Sequence, residues 1–211
     1  MADREITRRR WQGESPDERT AARRERLLEA GLELLGTEGA AAVTMRGTCR
    51  AARLTERYFY ESFDSRDDLL VAVLDHVVEG AKMAVLAALA TPGEESIRVR
   101  HVVTAFTDHI AADRRRGRVM FVAPQEDPAL ARRGDELVED FITLMVVALE
   151  SSSEVPHSKL DVRLNATAIF GAMAYLYQGW LRRRPRVSKE RLVEHVSLMI
   201  EAQIRVDSAH D

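Results

Sequence analysis

Three consecutive residues, Glu56-Arg57-Tyr58, bring together side chains suited to reading the edges of base pairs. A guanidinium offers two parallel donors to a guanine, a carboxylate accepts from a cytosine amine, and a phenol ring packs on a thymine methyl or bonds a phosphate. That chemistry requires the three to leave the first turn of a short helix narrow enough for a major groove. Other groupings are weaker. His101 and His109 lie two helical turns apart beside Asp108 and Asp113, which is at most a weak metal or acid–base site. Asp64, Asp67 and Asp68 are accounted for by helix capping, and no glycine-rich phosphate loop or nucleophile motif occurs.

The elements that must position Glu56, Arg57 and Tyr58 are marked by their caps. Ser15-Pro16-Asp17-Glu18 is a capping box with proline at the first helical position, and Leu28, Leu32 and Leu35 then share a face up to Gly36. Thr44 caps a short helix from about Met45 to Ala52, and Thr55 caps another from about Glu56 to Ser62. In the latter, Phe59 and Phe63 are four apart and face inward, leaving Tyr60 and Ser62 free to touch a backbone. Ser65-Arg66-Asp67-Asp68 starts a long helix whose stripe is Leu70, Leu74, Val77 and Ala81. Thr91-Pro92-Gly93-Glu94 breaks it, and the next helix carries Ile97, Val102, Phe106 and Ile110. An irregular connection bracketed by Pro124 and Pro128 follows, then helix from Leu130 to Glu150, a polar loop to Ser158, and two final helices over Lys159–Arg183 and Ser188–Val206.

The stretch from about Arg26 to Val77 resembles the N-terminal domain of TetR-type regulators. Their signature is a tyrosine and a phenylalanine three apart at the end of the recognition helix, then a basic residue and a leucine pair; Tyr60, Phe63, Arg66, Leu69 and Leu70 fill those places. The resemblance implies that Thr44, Arg46, Tyr60, Ser62 and Arg66 lie near phosphates, Arg46 also reaching a base. Thr55 opens the recognition helix, and Glu56, Arg57 and Tyr58 become the base readers. Two residues depart from the pattern: Arg53 stands where the family places glycine in the turn, and Thr48 where it prefers a large aliphatic. Each departure costs on the order of 1 kcal/mol.

The fold class expected is all-α, of about nine helices. An N-terminal three-helix helix-turn-helix DNA-binding domain (15–66) follows a basic arm (1–14, with Arg4, Arg8, Arg9 and Arg10) and precedes a helical-bundle domain for ligand sensing and dimerisation (67–206). Burial pattern and resemblance together place an effector cavity among Phe106, His109, Phe121, Phe141, Met145 and Tyr177, with Met120, Met173 and Trp180 nearby. Stripes of Leu164, Ala168, Ala172 and Leu176, and of Val193, Val196 and Ile200, are the expected two-fold interface.

Charge narrows the options further. The net charge is -3, and the first 66 residues hold 13 Arg against 12 Asp or Glu, so the chain cannot coat nucleic acid through bulk charge and needs placed contacts. The single cysteine, Cys49, excludes an internal disulfide framework. No apolar run approaches a membrane span, and the charged N-terminus lacks a secretion signal, so a cytoplasmic location is expected. The partners expected are a double-stranded DNA operator, a small-molecule effector and a second copy of the chain, with no cofactor and no membrane. The function implied is a repressor released from its operator by an inducer. A dimeric ligand-binding or scaffolding protein with a vestigial helix-turn-helix, and an all-α enzyme, stay open as alternatives.

Overall fold

The structure, a computed structural model, describes residues 15–92, 94–152, 158–184 and 186–207. The N-terminal arm, Gly93, the centre of the polar loop before Ser158, Pro185 and the side chain of Met145 lie outside the described residues. Within them the elements are α1 (Pro16–Thr37), α2 (Met45–Ala52), α3 (Glu56–Tyr60), α4 (Arg66–Leu89), α5 (Glu95–Ala112), α6 (Arg114–Phe121), α7 (Pro128–Ser152), α8 (Lys159–Leu181) and α9 (Lys189–Asp207). Short 3-10 turns occupy Ala40–Ala42 and Ala123–Gln125.

Each early helix starts where its cap dictates. Ser15 Oγ accepts from the Glu18 N–H at 3.1 Å while the Glu18 carboxylate accepts from the Ser15 N–H at 2.6 Å, satisfying two orphan donors of α1. Thr44 Oγ1 accepts from Gly47 N–H at the start of α2, and Ser65 Oγ from Asp68 N–H at the start of α4. Thr55 holds the N-cap position of α3, but its hydroxyl makes no capping bond. One break carries no proline or glycine signal: α5 ends and α6 begins at Asp113, whose extended backbone stops the first helix while its carboxylate accepts from Arg115 N–H and caps the second.

Two apolar clusters hold these helices together. The first joins Leu27, Leu35, Val43, Phe59, Phe63, Leu69, Leu70 and Val73 of the head (α1–α3 and the start of α4) with Val119, Ala123 and Leu130 of the body. Complete burial of each such leucine is worth about 1.5–3 kcal/mol. The second is built in the body from Val103, Ile110, Tyr177, Trp180, Leu192, Val193 and Val196. Between them α6 packs on α1 at one side and on α8 at the other.

Polar latches reinforce the junction of head and body. Arg115 of α6 donates to Glu29 at 2.9 Å and Glu33 at 2.7 Å, both on α1, while Asp113 holds its other edge. The same arginine holds the Asp113 carboxyl below its ordinary range. Gly36 makes this approach possible, since a Cβ there would lie 2.5 Å from Arg115 Cβ. A second latch is Arg66, which donates to the carbonyls of Val43 at 2.7 Å and Ala40 at 2.8 Å and pairs with Asp127 at 2.9 Å.

Candidate nucleic-acid interface

The turn between α2 and α3 is set by Arg53, which takes the left-handed conformation with φ 54°. Its N–H and that of Leu54 close the end of α2 on the carbonyls of Arg50 and Cys49. This is the closure that glycine usually makes, because it lacks the Cβ that crowds the left-handed region. Arg26 of α1 donates to the Ala52 and Arg53 carbonyls at 2.5 and 3.3 Å, tying the turn to the first helix. Thr48 is fully buried and its hydroxyl has no partner, as expected of a small polar group placed where an aliphatic would fit.

From that turn α3 and the residues flanking it point in two directions. Phe59 and Phe63 go inward. Thr55, Glu56, Arg57 and Tyr60 stay exposed, and so do Thr44 and Arg46 on the adjoining α2. Ion pairs orient these outward groups: Arg46 Nε meets Glu56 at 3.2 Å, and Arg57 Nε meets Glu61 at 3.0 Å. Glu61 faces Arg23 of α1 with its other oxygen at 3.7 Å. Because Glu61 engages Arg57 through Nε, the two terminal nitrogens of Arg57 remain available as a donor fork. Exposed pairs of this kind contribute little stability, so their effect here is on orientation.

Three candidates are placed differently from the sequence expectation. Tyr58 is half-buried, with the Arg23 guanidinium 4.6 Å from the centre of its ring. Ser62 donates its hydroxyl to the Tyr58 carbonyl and is turned toward its own helix. Arg66 departs most from the expectation: its partly exposed guanidinium is engaged by Val43, Ala40, Asp67 and Asp127, so the group expected at a phosphate braces the loop before α2 against the body. Sequence patterns do not single out Arg23, Arg26 and Glu61, which position the outward groups. The spacing of Arg57 and Glu61, one helical turn apart, is the one signal that points to the last.

In the body, Phe106, Phe121 and Tyr177 do meet. Phe106 lies edge-on to Tyr177 at 5.1 Å, Phe121 stacks on Tyr177 at 5.7 Å, and Trp180 closes the group at 6.3 Å from Tyr177. At its centre Thr107 donates to the Val103 carbonyl at 2.6 Å and shares a 2.5 Å hydrogen bond with the Tyr177 hydroxyl. Burial pushes the Tyr177 phenol up to about 12, so it is neutral at physiological pH. His109 and Phe141 take other contacts. His109 lies against Gly80 and Arg116, and burial together with the Arg116 charge lowers its pKa. Phe141 packs its ring on Phe170.

The expected interface stripes divide. Leu164 and Ala168 are exposed on α8, together with Leu160 and Tyr175, whereas Ala172 and Leu176 are half-buried. On α9, Val193 and Val196 are 5% and 0% exposed inside the chain's own second core, and Ile200 packs against the same core. Val193 and Val196 thus have almost no surface left for a partner, Ile200 is half-buried, and Leu198 is exposed on the same helix.

Comparison with known proteins agrees with this architecture. Residues 27–73 match the family model "Bacterial regulatory proteins, tetR family". Among solved structures, the fatty acid degradation regulator FadR from Bacillus halodurans is 16% identical, with a TM-score of 0.73 over 90% of this chain and 96% of that one. A TetR-family transcriptional regulator from Syntrophomonas wolfei is 14% identical, with a TM-score of 0.74 over 88% and 96%. The multidrug binding protein EbrR, solved with imidazole, is 21% identical, with a TM-score of 0.62 over 88% and 91%. No curated protein matches the chain by sequence. No helix among the described residues is long and apolar enough to cross a membrane. Residues 27–73 thus carry the helix-turn-helix segment of the tetR family, and the described chain has the fold of solved regulators of that type.

Proposed function

We propose that the chain is a cytoplasmic repressor that binds an operator duplex as a homodimer and leaves it when a small molecule occupies the body. The observation that carries this reading is the outward fan of Thr55, Glu56, Arg57 and Tyr60 from a short helix anchored by Phe59 and Phe63. Arg57 reads a base through its donor fork, Glu56 and Tyr58 complete the readout, and Thr44, Arg46 and Tyr60 hold phosphates. Residues 15–66 serve as the DNA-binding unit and 67–206 as the sensing and dimerisation unit.

Two heads must be joined to span successive major grooves, and the exposed Leu160, Leu164, Ala168 and Tyr175 of α8 with Leu198 of α9 provide an apolar surface for that joining. The effector enters at Phe106, Phe121 and Tyr177, where apolar rings surround one hydroxyl pair. By favouring a different spacing of the heads it lowers operator affinity by its differential binding energy.

The test is selection from a random-sequence duplex library followed by titration of the selected duplex. The wild type enriches a two-fold symmetric sequence, and Arg57→Ala loses discrimination at one base pair of each half-site, worth about 1–3 kcal/mol. Equal weak binding of all duplexes by both proteins would refute the reading.

A further inference from the structure

The densest positive charge without carboxylate partners among the described residues is in the body, not the head. Arg46 and Arg57 of the head are paired with Glu56 and Glu61, Arg66 with Asp127, and Arg115 with Glu29 and Glu33. By contrast Arg182, Arg183, Arg184 and Arg186 follow one another through the turn after α8, all exposed, with no ion pair between their described side chains and any acid. No Asp or Glu occurs in the sequence from Val162 to Lys189.

Closing the helix does not require these guanidiniums. Arg183 has φ 56°, and the backbone N–H groups of Arg183 and Arg184 close α8 on the Trp180 and Gly179 carbonyls at 3.0 and 2.8 Å. Glycine would make that closure with less crowding. The described non-glycine residues with positive φ are Arg53 and Arg183, both exposed. At each, a long cation occupies a position whose backbone favours no side chain at all.

The turn lies at the end of the body next to the head. Arg114, the first residue of α6, donates to the Leu181 carbonyl at 3.0 Å and lies over the Trp180 ring at 5.4 Å. Its neighbour Arg115 is bonded to Glu29 and Glu33 of α1. One helix therefore separates the four arginines from the first helix of the head.

We propose that Arg182, Arg183, Arg184 and Arg186 form a second nucleic-acid site that holds duplex phosphates without reading bases. The inference rests on the reading of the chain as a DNA-binding regulator. Each such turn gathers four like charges that repel one another until a polyanion neutralises them. A chain of net charge -3 thus gains a local field for DNA beside that of a head in which Arg23, Arg46, Arg57 and Arg66 are paired with acids.

The test measures duplex affinity against salt for the full-length wild type and for the triple variant Arg182→Gln, Arg184→Gln, Arg186→Gln, using the library-selected duplex and a scrambled one. The slope of log affinity on log salt becomes shallower by roughly 0.9 for each phosphate that the variant no longer neutralises, and the ratio between the two duplexes stays unchanged. The corresponding triple lysine variant keeps the wild-type slope. A footprint needs no variant: phenylglyoxal modification of Arg182–Arg184 and Arg186 in the wild type, read by mass spectrometry, falls when either duplex is added. An unchanged slope, or equal modification with and without duplex, overturns the proposal. If those results come with discrimination that Arg57→Ala abolishes, only this second site is refuted. If the wild type binds no duplex at low salt, the regulator reading falls and the second site with it.

Discussion

Replacing Arg66 with alanine separates two roles that sequence and structure assign to the same residue. In the structure its guanidinium makes charge-assisted bonds to the Val43 and Ala40 carbonyls and an ion pair to Asp127, whose side chain is 10% exposed. Such bonds are worth about 1.5–3 kcal/mol each when a partner is left unsatisfied. Arg66 itself is 33% exposed, so water reaches part of the vacated site and lowers the sum. The expected loss is roughly 2–4 kcal/mol of unfolding free energy, or roughly 5–12 °C in Tm for a chain of this size. Arg66→Lys recovers half or less, because one ammonium cannot serve carbonyls and carboxylate with the planar fork of arginine.

The acid limb of stability gives an independent check on the same residue. Burial acts to raise the Asp127 carboxyl, but Arg66 and the N–H groups of Ala129 and Leu130 outweigh it and hold the value below the ordinary range. Its contribution is therefore complete above the unfolded carboxylate pKa, about 3.9, and is lost as pH falls through the lower folded value. In Arg66→Ala that part of the acid destabilisation shrinks. Urea unfolding at neutral and acid pH measures both effects. If Arg66→Ala costs less than about 0.5 kcal/mol while duplex affinity drops and the salt slope flattens by roughly one phosphate's worth, the reasoning is refuted and Arg66 belongs at the DNA.

Further perturbations test the remaining parts. Thr48→Val removes a fully buried hydroxyl without a partner at nearly constant volume and raises stability by about 1–2 kcal/mol, read from the denaturation midpoint. Gly36→Ala forces α1 away from Arg115 and costs roughly 2–4 kcal/mol; retention of wild-type stability would show that the junction yields freely. Leu164→Glu places charge on the exposed α8 face; on the proposed reading sedimentation reports a dimer for the wild type and a monomer for the variant, and a monomeric wild type would refute it. Glu61→Gln frees Arg57 and Arg23, so affinity for scrambled duplex rises while discrimination by the selected duplex falls, in the same titrations.

Local signals carry most of what a sequence can convey about this fold. Caps at Ser15, Thr44 and Ser65 place three helix starts because each bond spans only a few residues. The inward pair Phe59 and Phe63 follows from one helical turn, and the strained Arg53 from the turn it must make. Arg66 is beyond such signals, since its decisive partner Asp127 is 61 residues away and a basic residue at that place also suits a phosphate. Val193 and Val196 show a different limit. An apolar stripe fixes which face of α9 is covered but not by what, and here α5 and the Tyr177 cluster cover it in place of a second copy. Composition alone groups His109 and Phe141 with Tyr177, and composition has no direction.

The brace at Arg66 also bears on how an effector acts. With Arg66 bracing the loop before α2 from one side and Arg115 holding α1 from another, the head is not a domain on a free linker. On the proposed reading, a ligand that displaces Phe121 or Tyr177 must move α6, because Gly117 of α6 is packed against Ile110 and Leu181 with no room for even a Cβ. A moved α6 either carries α1 with it through Arg115 or breaks the bonds to Glu29 and Glu33. A tenfold change in operator affinity needs only about 1.4 kcal/mol of difference between the two states. With Glu29 and Glu33 60% and 55% exposed, the two bonds of the latch together approach about that size. The junction is thus strong enough to transmit the displacement and weak enough for a small ligand to offset, which a head fixed by apolar packing alone would not allow.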